Sequence, residues 1–262
     1  MSTALSVNVN KVAWLRNSRE GTRPDVVETA RTLIAAGVQG ITVHPRPDQR
    51  HIRPADVYAL NEVLRADYPE IEFNIEGNPI AGPRDNGYPG FDHLIEAVRP
   101  HQCTLVPDDD NQLTSDHGWD LTDAATAERV AEFIERYHGY GARVSLFMDP
   151  ELAQIELAKA CGADRIELYT GPFADLVASH GLDDARTQTV RATYRDATRY
   201  ATQLGLGVNA GHDLNLDNLA SFIAIGDIAE VSIGHALIAD SLEWGLTLTV
   251  TKYLAAIIDG SD

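Results

Sequence analysis

Short apolar segments interrupted at every second position by polar side chains recur along the whole chain. Within residues 71–76, Ile71, Phe73 and Ile75 alternate with Glu72, Asn74 and Glu76, and the two-residue period of a strand places the two sets on opposite faces. The arrangement returns where Val7 and Val9 alternate with Asn8 and Asn10, Ile41 and Val43 with Thr42 and His44, Ile166 and Leu168 with Glu167, and Leu206 and Val208 with Asn209. One face of each strand can pack on helices, while the other gathers Asn, His and Glu into a shared interior.

The pattern predicts eight strands, near 5–10, 40–45, 71–76, 102–107, 142–148, 164–170, 206–211 and 229–234, each followed by a helical segment. Helices are expected over 24–36, 54–66, 91–98, 122–137, 150–161, 184–204, 216–225 and 242–258. Arg53-Pro54 opens one of them, and Asp149-Pro150-Glu151 reads as a capping Asp before a first-turn Pro. Gly37, Gly141, Gly162 and Gly205 stand where a helix gives way to a strand, the place for a left-handed residue. Strict alternation implies parallel strands joined by right-handed crossovers. The expected fold is an α/β, parallel eight-stranded (β/α)₈ TIM barrel with extra short helices in its βα loops, one domain over residues 1–262. A doubly wound open sheet is the alternative, weakened because Asn8-Val9-Asn10-Lys11-Val12 stands where a Gly-x-Gly-x-x-Gly turn would follow the first strand. Two long loops, 77–90 and 107–121, are expected as lids or subunit contacts.

Composition narrows the partners. A net charge of −18 over 262 residues lacks the basic footprint that nucleic acid requires. An anionic small molecule remains open, because Lys11, Arg16, Arg19 and Arg23 form one local cationic cluster and Arg46, Arg50, His51 and Arg53 another; the alternative for such clusters is a solvated loop. Cys103 and Cys161 are the only cysteines, which points to buried thiols rather than a disulfide framework or a sulfur-based metal site. With no apolar run of membrane-spanning length and no secretory leader in sight, the expectation is a cytoplasmic protein with no membrane partner.

Barrel chemistry sits at the carboxyl ends of the strands. Those ends supply Asn10 and Lys11, His44 and Arg46, Glu76, Pro107 before an acidic loop, Phe147, Glu167 and Thr170, His212, and Gly234 with His235. His44, His212 and His235 at strand ends, with His51 nearby, favour proton transfer, since imidazole titrates near neutrality and a carboxylate such as Glu76 moves toward it in a dry pocket. The alternative for each alone is a hydrogen-bonded interior residue. Gly-His after strands seven and eight leaves backbone N–H groups open at helix starts, a phosphate site in barrels. Lys11, outside any expected helix, could also form a Schiff base with a carbonyl substrate.

Asn8-Val9-Asn10, Leu15-Arg16-Asn17, the run from His44 to Ile52, Glu76, Asn209-Ala210-Gly211-His212 and Ile233-Gly234-His235-Ala236 together resemble the pyridoxine 5'-phosphate synthase family of deoxyxylulose-dependent vitamin B6 biosynthesis. The resemblance runs from about Leu5 to Leu254. It implies a transferase-type condensation of 3-amino-2-oxopropyl phosphate with 1-deoxy-D-xylulose 5-phosphate to pyridoxine 5'-phosphate, phosphate and water, with no cofactor and no metal. By the same resemblance His44 and Glu76 look like proton acceptors, His212 like the donor, and Glu167 like a carboxylate beside the reacting atoms. Asn8, Arg19, Gly234 and His235 match holders of the amino ketone phosphate, and Arg46, His51 and Thr114 holders of the sugar phosphate. A homo-oligomer, an octamer, is implied as well. The chain departs from the family pattern at Asn10-Lys11, where many members have Asp-His, at Asp109-Asp110, where they have a basic pair, and at Asp213, where they have Gly; Asn10, Lys11 and Asp213 are therefore substrate-contact candidates. Two other functions compete. One is a metal-dependent barrel hydrolase or epimerase with His44, Glu76, His212 and His235 as ligands; the other is a non-catalytic paralogue that binds a phosphorylated ligand.

Overall fold

Parallel strands of four to six residues pair in chain order and close on themselves in the computed structural model, which describes residues 3–261. The order is β1 (Ala4–Asn8), α1 (Asn10–Asn17), α2 (Val26–Ala35), β2 (Gly40–Val43), α3 (Pro54–Asp67), β3 (Glu72–Gly77), α4 (Phe91–Val98), β4 (Gln102–Leu105), α5 (Ala124–Gly139) and β5 (Arg143–Met148). It continues with α6 (Leu152–Ala160), β6 (Arg165–Tyr169), α7 (Gly171–His180), α8 (Ala185–Gln203), β7 (Gly207–Gly211), α9 (Leu219–Ile223), β8 (Glu230–Ile233), α10 (His235–Trp244) and α11 (Leu246–Ser261). Closure is made by β1 on β8, with Ser6 opposite Ser232. The result is a (β/α)₈ barrel.

The alternation in the sequence becomes two layers. Leu5, Val7, Ile41, Val43, Phe73 and Ile75 are buried in the hydrophobic core that the strands share with the helices. Most of their polar neighbours are buried inside the barrel and hydrogen-bond to one another, while Gln102 Nε2, Ser145 Oγ and Glu230 Oε1 find no partner among the described residues. Ser6 Oγ lies 2.7 Å from Thr42 Oγ1, Asn74 Nδ2 donates to Thr42 Oγ1, and Thr104 Oγ1 donates to Asn74 Oδ1 at 3.2 Å. Nearer the amino ends of the strands the groups are charged and paired: Arg143 holds Glu72 and Gln102, and Arg165 reaches Asn209 at 2.9 Å and Glu230 at 3.6 Å. The barrel is thus filled by polar contacts from its floor up to its functional mouth.

The extra helices expected in the βα loops are α1, α7 and α10, at positions the sequence did not name. The first strand stops at Asn8, so Asn10 and Lys11 belong to α1 rather than to a strand end or open loop. Helix α7 starts at Gly171-Pro172, a pair that reads as a turn although Pro fits a first helical turn without loss. The expected helix over 242–258 is two helices, because Gly245, at φ 77°, ends α10 in the left-handed region before α11 starts. The expected cap also fails: Asp149 lies before Glu151, which is the N-cap of α6, and its Oδ2 accepts the Gly118 N–H at 3.0 Å instead. Asp149 therefore ties down the 107–121 loop. By contrast, Gly37, Gly141, Gly162 and Gly205 take φ of 107°, 85°, 96° and 76°, as their positions required. Cys103 is buried and Cys161 half-buried, both as free thiols. Among the described residues no helix is long and apolar enough to cross a membrane.

Candidate active site

The carboxyl ends of the strands surround a cavity of about 250 Å³ that opens to solvent. At its base, β2 and β3 deliver His44 and Glu76. The His44 N–H donates to Asn10 Oδ1 at 2.9 Å, its Nδ1 lies 3.8 Å from Glu76 Oε2, and its Nε2 lies 3.7 Å from Asp108 Oδ2. Asn8 Nδ2 donates to the same Glu76 oxygen at 3.3 Å. Burial, together with the nearby Glu167, Asp108 and Glu230, pushes the Glu76 carboxyl well above the usual carboxylate range. Burial, with Arg46 and His51 alongside, holds the His44 imidazole well below its ordinary value. The two shifts oppose each other and favour the neutral form of each group, a protonated carboxyl beside an unprotonated imidazole nitrogen.

From β6, Glu167 enters the same space. Burial pushes it up to about 7, against the opposing pull of the Thr104 hydroxyl and of His212. Its setting needs a bare backbone next door, since a Cβ on Gly211 would lie 2.3 Å from Glu167 Oε1. His212 follows, at φ 85°, with Asp213 at φ 59°. Thr170 Oγ1 donates to the Gly211 carbonyl at 2.8 Å and to the His212 carbonyl, holding this turn in place. The His212 ring meets Tyr169 edge-on at 5.4 Å, and its Nε2 lies 2.6 Å from Thr114 Oγ1.

The cationic side of the cavity comes from β2 and α1. Arg46 is buried and paired with Asp108 Oδ2 at 2.5 Å, and Ser115 Oγ donates to that oxygen at 2.8 Å. Lys11 lies 4.6 Å from the centre of the Trp14 ring, its pKa lowered by burial and by Arg46 and Arg50. His51 accepts the Ile52 N–H on Nδ1 at 2.9 Å, and burial with Arg46 lowers it to about 3. His51 is therefore neutral and offers Nε2–H as a donor. Gly234 is the N-cap of α10, and the first backbone bond of that helix runs from Ile238 N, so the N–H groups of the first turn are open beside His235.

Of the fourteen residues read from the sequence as catalytic or substrate-contacting, all but Arg19 line this one cavity. Arg19 stands exposed beyond α1, as does Arg23, and Arg16 is tied to Asp56, so the first cationic cluster disperses. In the second cluster Arg53 caps α3 and Arg50 binds Asp48 and the Gln112 and Leu113 carbonyls. The expected pair of phosphate-ready helix starts is reduced to one: Gly234-His235 opens α10, whereas His212 lies in a left-handed turn well before α9. Asp108 and Trp14 are cavity-side residues the sequence did not single out. Asp108 was hidden in a run of three acids, of which Asp109 and Asp110 are exposed, and Trp14 in a helix that was not expected there. Among the described residues no three His, Cys, Asp or Glu side chains converge as a metal site.

A closed parallel barrel with imidazoles and carboxylates opposed at the mouth, beside a buried guanidinium, defines the class: a (β/α)₈ enzyme. Comparison with known proteins gives the family. Residues 5–259 match the family model described as pyridoxal phosphate biosynthesis protein PdxJ. A pyridoxine 5'-phosphate synthase of Xanthomonas campestris pv. campestris (strain B100) is 56% identical over 262 residues, covering 100% of this chain and 98% of that protein. That of Xanthomonas oryzae pv. oryzae (strain PXO99A) is 56% identical over 255 residues, covering 97% and 96%. Among solved structures, tryptophan synthase of Mycobacterium tuberculosis superposes with a TM-score of 0.63 at 13% identity over 98% of this chain and 93% of that one, a likeness of fold alone. The chain belongs to the PdxJ family of pyridoxal phosphate biosynthesis proteins.

Proposed function

We propose that this chain is a pyridoxine 5'-phosphate synthase, condensing 3-amino-2-oxopropyl phosphate with 1-deoxy-D-xylulose 5-phosphate to give pyridoxine 5'-phosphate, phosphate and water. The observation that carries the reading is the buried His44–Glu76 pair, with shifts in opposite senses, facing Glu167 and His212 across one cavity. The condensation needs an amine to attack a ketone, then enol formation, dehydration and ring closure. Protons must leave carbon and nitrogen and must reach departing oxygen, and each well-placed acid or base is worth about a hundredfold or more. His44 takes the role of acceptor, Glu76 that of a second acceptor once it has released the proton its raised pKa holds, and His212 that of donor, with Glu167 beside the reacting atoms. Arg46, Lys11, the His51 Nε2–H and the first turn of α10 face the two phosphates, where a guanidinium fork matches phosphate oxygens. Holding both substrates in one cavity removes the entropic cost of their encounter. The enzyme is read as cytoplasmic and as a homo-oligomer, the latter supported by the exposed apolar residues Leu242 and Leu248 on α10 and α11.

The test is release of inorganic phosphate by the purified protein. Release that requires both substrates together supports the proposal; release from neither mixture nor single substrate defeats it.

A further inference from the structure

The Asp213 carboxylate ends 2.8 Å from His212 Nδ1, through its Oδ2. Two successive residues in the left-handed region, His212 at φ 85° and Asp213 at φ 59°, bring the two side chains side by side, and Asp is among the side chains that tolerate that region best. The turn is fixed from outside, by Thr170 on the Gly211 and His212 carbonyls and by Asn218 Nδ2 on the Asp213 carbonyl at 3.1 Å. The imidazole is fixed as well, edge-on to Tyr169, with Nε2 toward Thr114 and the cavity.

We propose that Asp213 is a positioning residue for His212: its carboxylate keeps the proton on Nδ1 and leaves Nε2, at the cavity, as the nitrogen that exchanges a proton with substrate. An ionised carboxylate can only accept a hydrogen bond, so its ring partner must be N–H. Asp213 stays ionised because the hydrogen bond with His212 lowers its pKa, with His235 and Lys11 acting in the same sense. A carboxylate behind an imidazole selects its tautomer and favours the imidazolium that forms as a proton arrives. The other titratable groups near the ring are Glu167 and Tyr169 from β6 and His44 from β2, while His235 from α10 and Lys11 from α1 act on the Asp213 carboxylate and Asp116 from the 107–121 loop acts on Tyr169. None of these is recorded in a hydrogen bond to Nδ1, the nitrogen that Asp213 occupies. The inference rests on reading His212 as the proton donor of the synthase reaction.

The experiment compares the full-length protein with Asp213→Asn and Asp213→Gly, both of which suit a left-handed turn and preserve the fold. Histidine ring ¹⁵N spectra, with His212 assigned by loss of its signals in His212→Asn, should show a protonated Nδ1 and an unprotonated Nε2 in the neutral ring. In Asp213→Gly the proton should move to Nε2. Steady-state kinetics should show kcat lowered about tenfold, KM changed by less than about twofold, and the alkaline limb of the pH–rate profile moved to lower pH. An unprotonated Nδ1 in the wild-type neutral ring, an unchanged kcat, or a rise in KM at constant kcat would overturn the assignment; the last would make Asp213 a substrate contact. If the wild-type protein makes no product, the synthase reading falls, while the nitrogen spectrum still decides whether Asp213 sets the tautomer.

Discussion

Glu76 Oε2 lies 3.8 Å from His44 Nδ1 while also accepting the Asn8 amide, so carboxyl and imidazole share one buried corner of the barrel mouth. Burial disfavours the charged form of both, raising one and lowering the other. A pair that is easier to keep neutral than to ionise sets a proton donor, the Glu76 carboxyl, beside a proton acceptor, the His44 imidazole.

Glu76→Gln should lower kcat by about a hundredfold or more without unfolding the protein. The sign of the stability effect follows from the raised pKa. The folded state holds the Glu76 proton more tightly than the unfolded chain, so stability is fully present below the ordinary carboxylate pKa of 4.5 and declines as pH rises toward the folded value. Gln cannot ionise, so melting temperatures measured from pH 5 to 9 should fall less steeply for the variant than for the wild type.

Glu167, pushed up to about 7, changes charge across neutrality. Turnover should therefore show an ionisation near that pH, and the pH–rate profile of Glu167→Gln should lack it.

Gly211→Ala should damage activity more than folding. The added methyl would lie 2.3 Å from Glu167 Oε1, so the carboxylate must shift. A loss of about tenfold or more in kcat, with a melting temperature near that of wild type, is the expected outcome.

With Arg46 read as a phosphate holder, its pairing with Asp108 sets that carboxylate in competition with the substrate. Its Oδ2 holds the guanidinium, while its Oδ1 is buried without a partner. Asp108→Asn should destabilise the free protein by about 3 kcal/mol, the scale for breaking a buried pair. It should also gain more in melting temperature than wild type when sugar phosphate is added, since Arg46 is then free to bind it. Thermal shift with and without substrate measures both effects.

Much of the barrel was legible because a strand's two faces are written in alternate residues. Ile71, Phe73 and Ile75 lie in the hydrophobic core around the barrel, and Asn74 and Glu76 lie inside it. Strand ends then located His44, Glu76, Glu167 and His212 together, because parallel strands deliver all their carboxyl ends to one side. What escaped was local. Asn10 begins a helix because the strand ends early, and its side chain holds His44 from there. Asp108 and Asp109 read alike in sequence, yet one is buried against Arg46 and the other exposed, a difference set by how the loop folds back. Asp149 matched a capping pattern, but the close approach of Gly118 to the backbone of Met148 and Asp149 claimed it for the loop. Such choices depend on contacts between distant segments.

Whether the side chains gathered at the mouth make pyridoxine 5'-phosphate is decided by mass-resolved product formation from the two substrates, run with wild type and Glu76→Gln side by side. Wild type should accumulate pyridoxine 5'-phosphate together with an equal amount of phosphate, and the variant should do so at least about a hundredfold more slowly. Product formed equally fast by both proteins, or by neither, would contradict the proposed function.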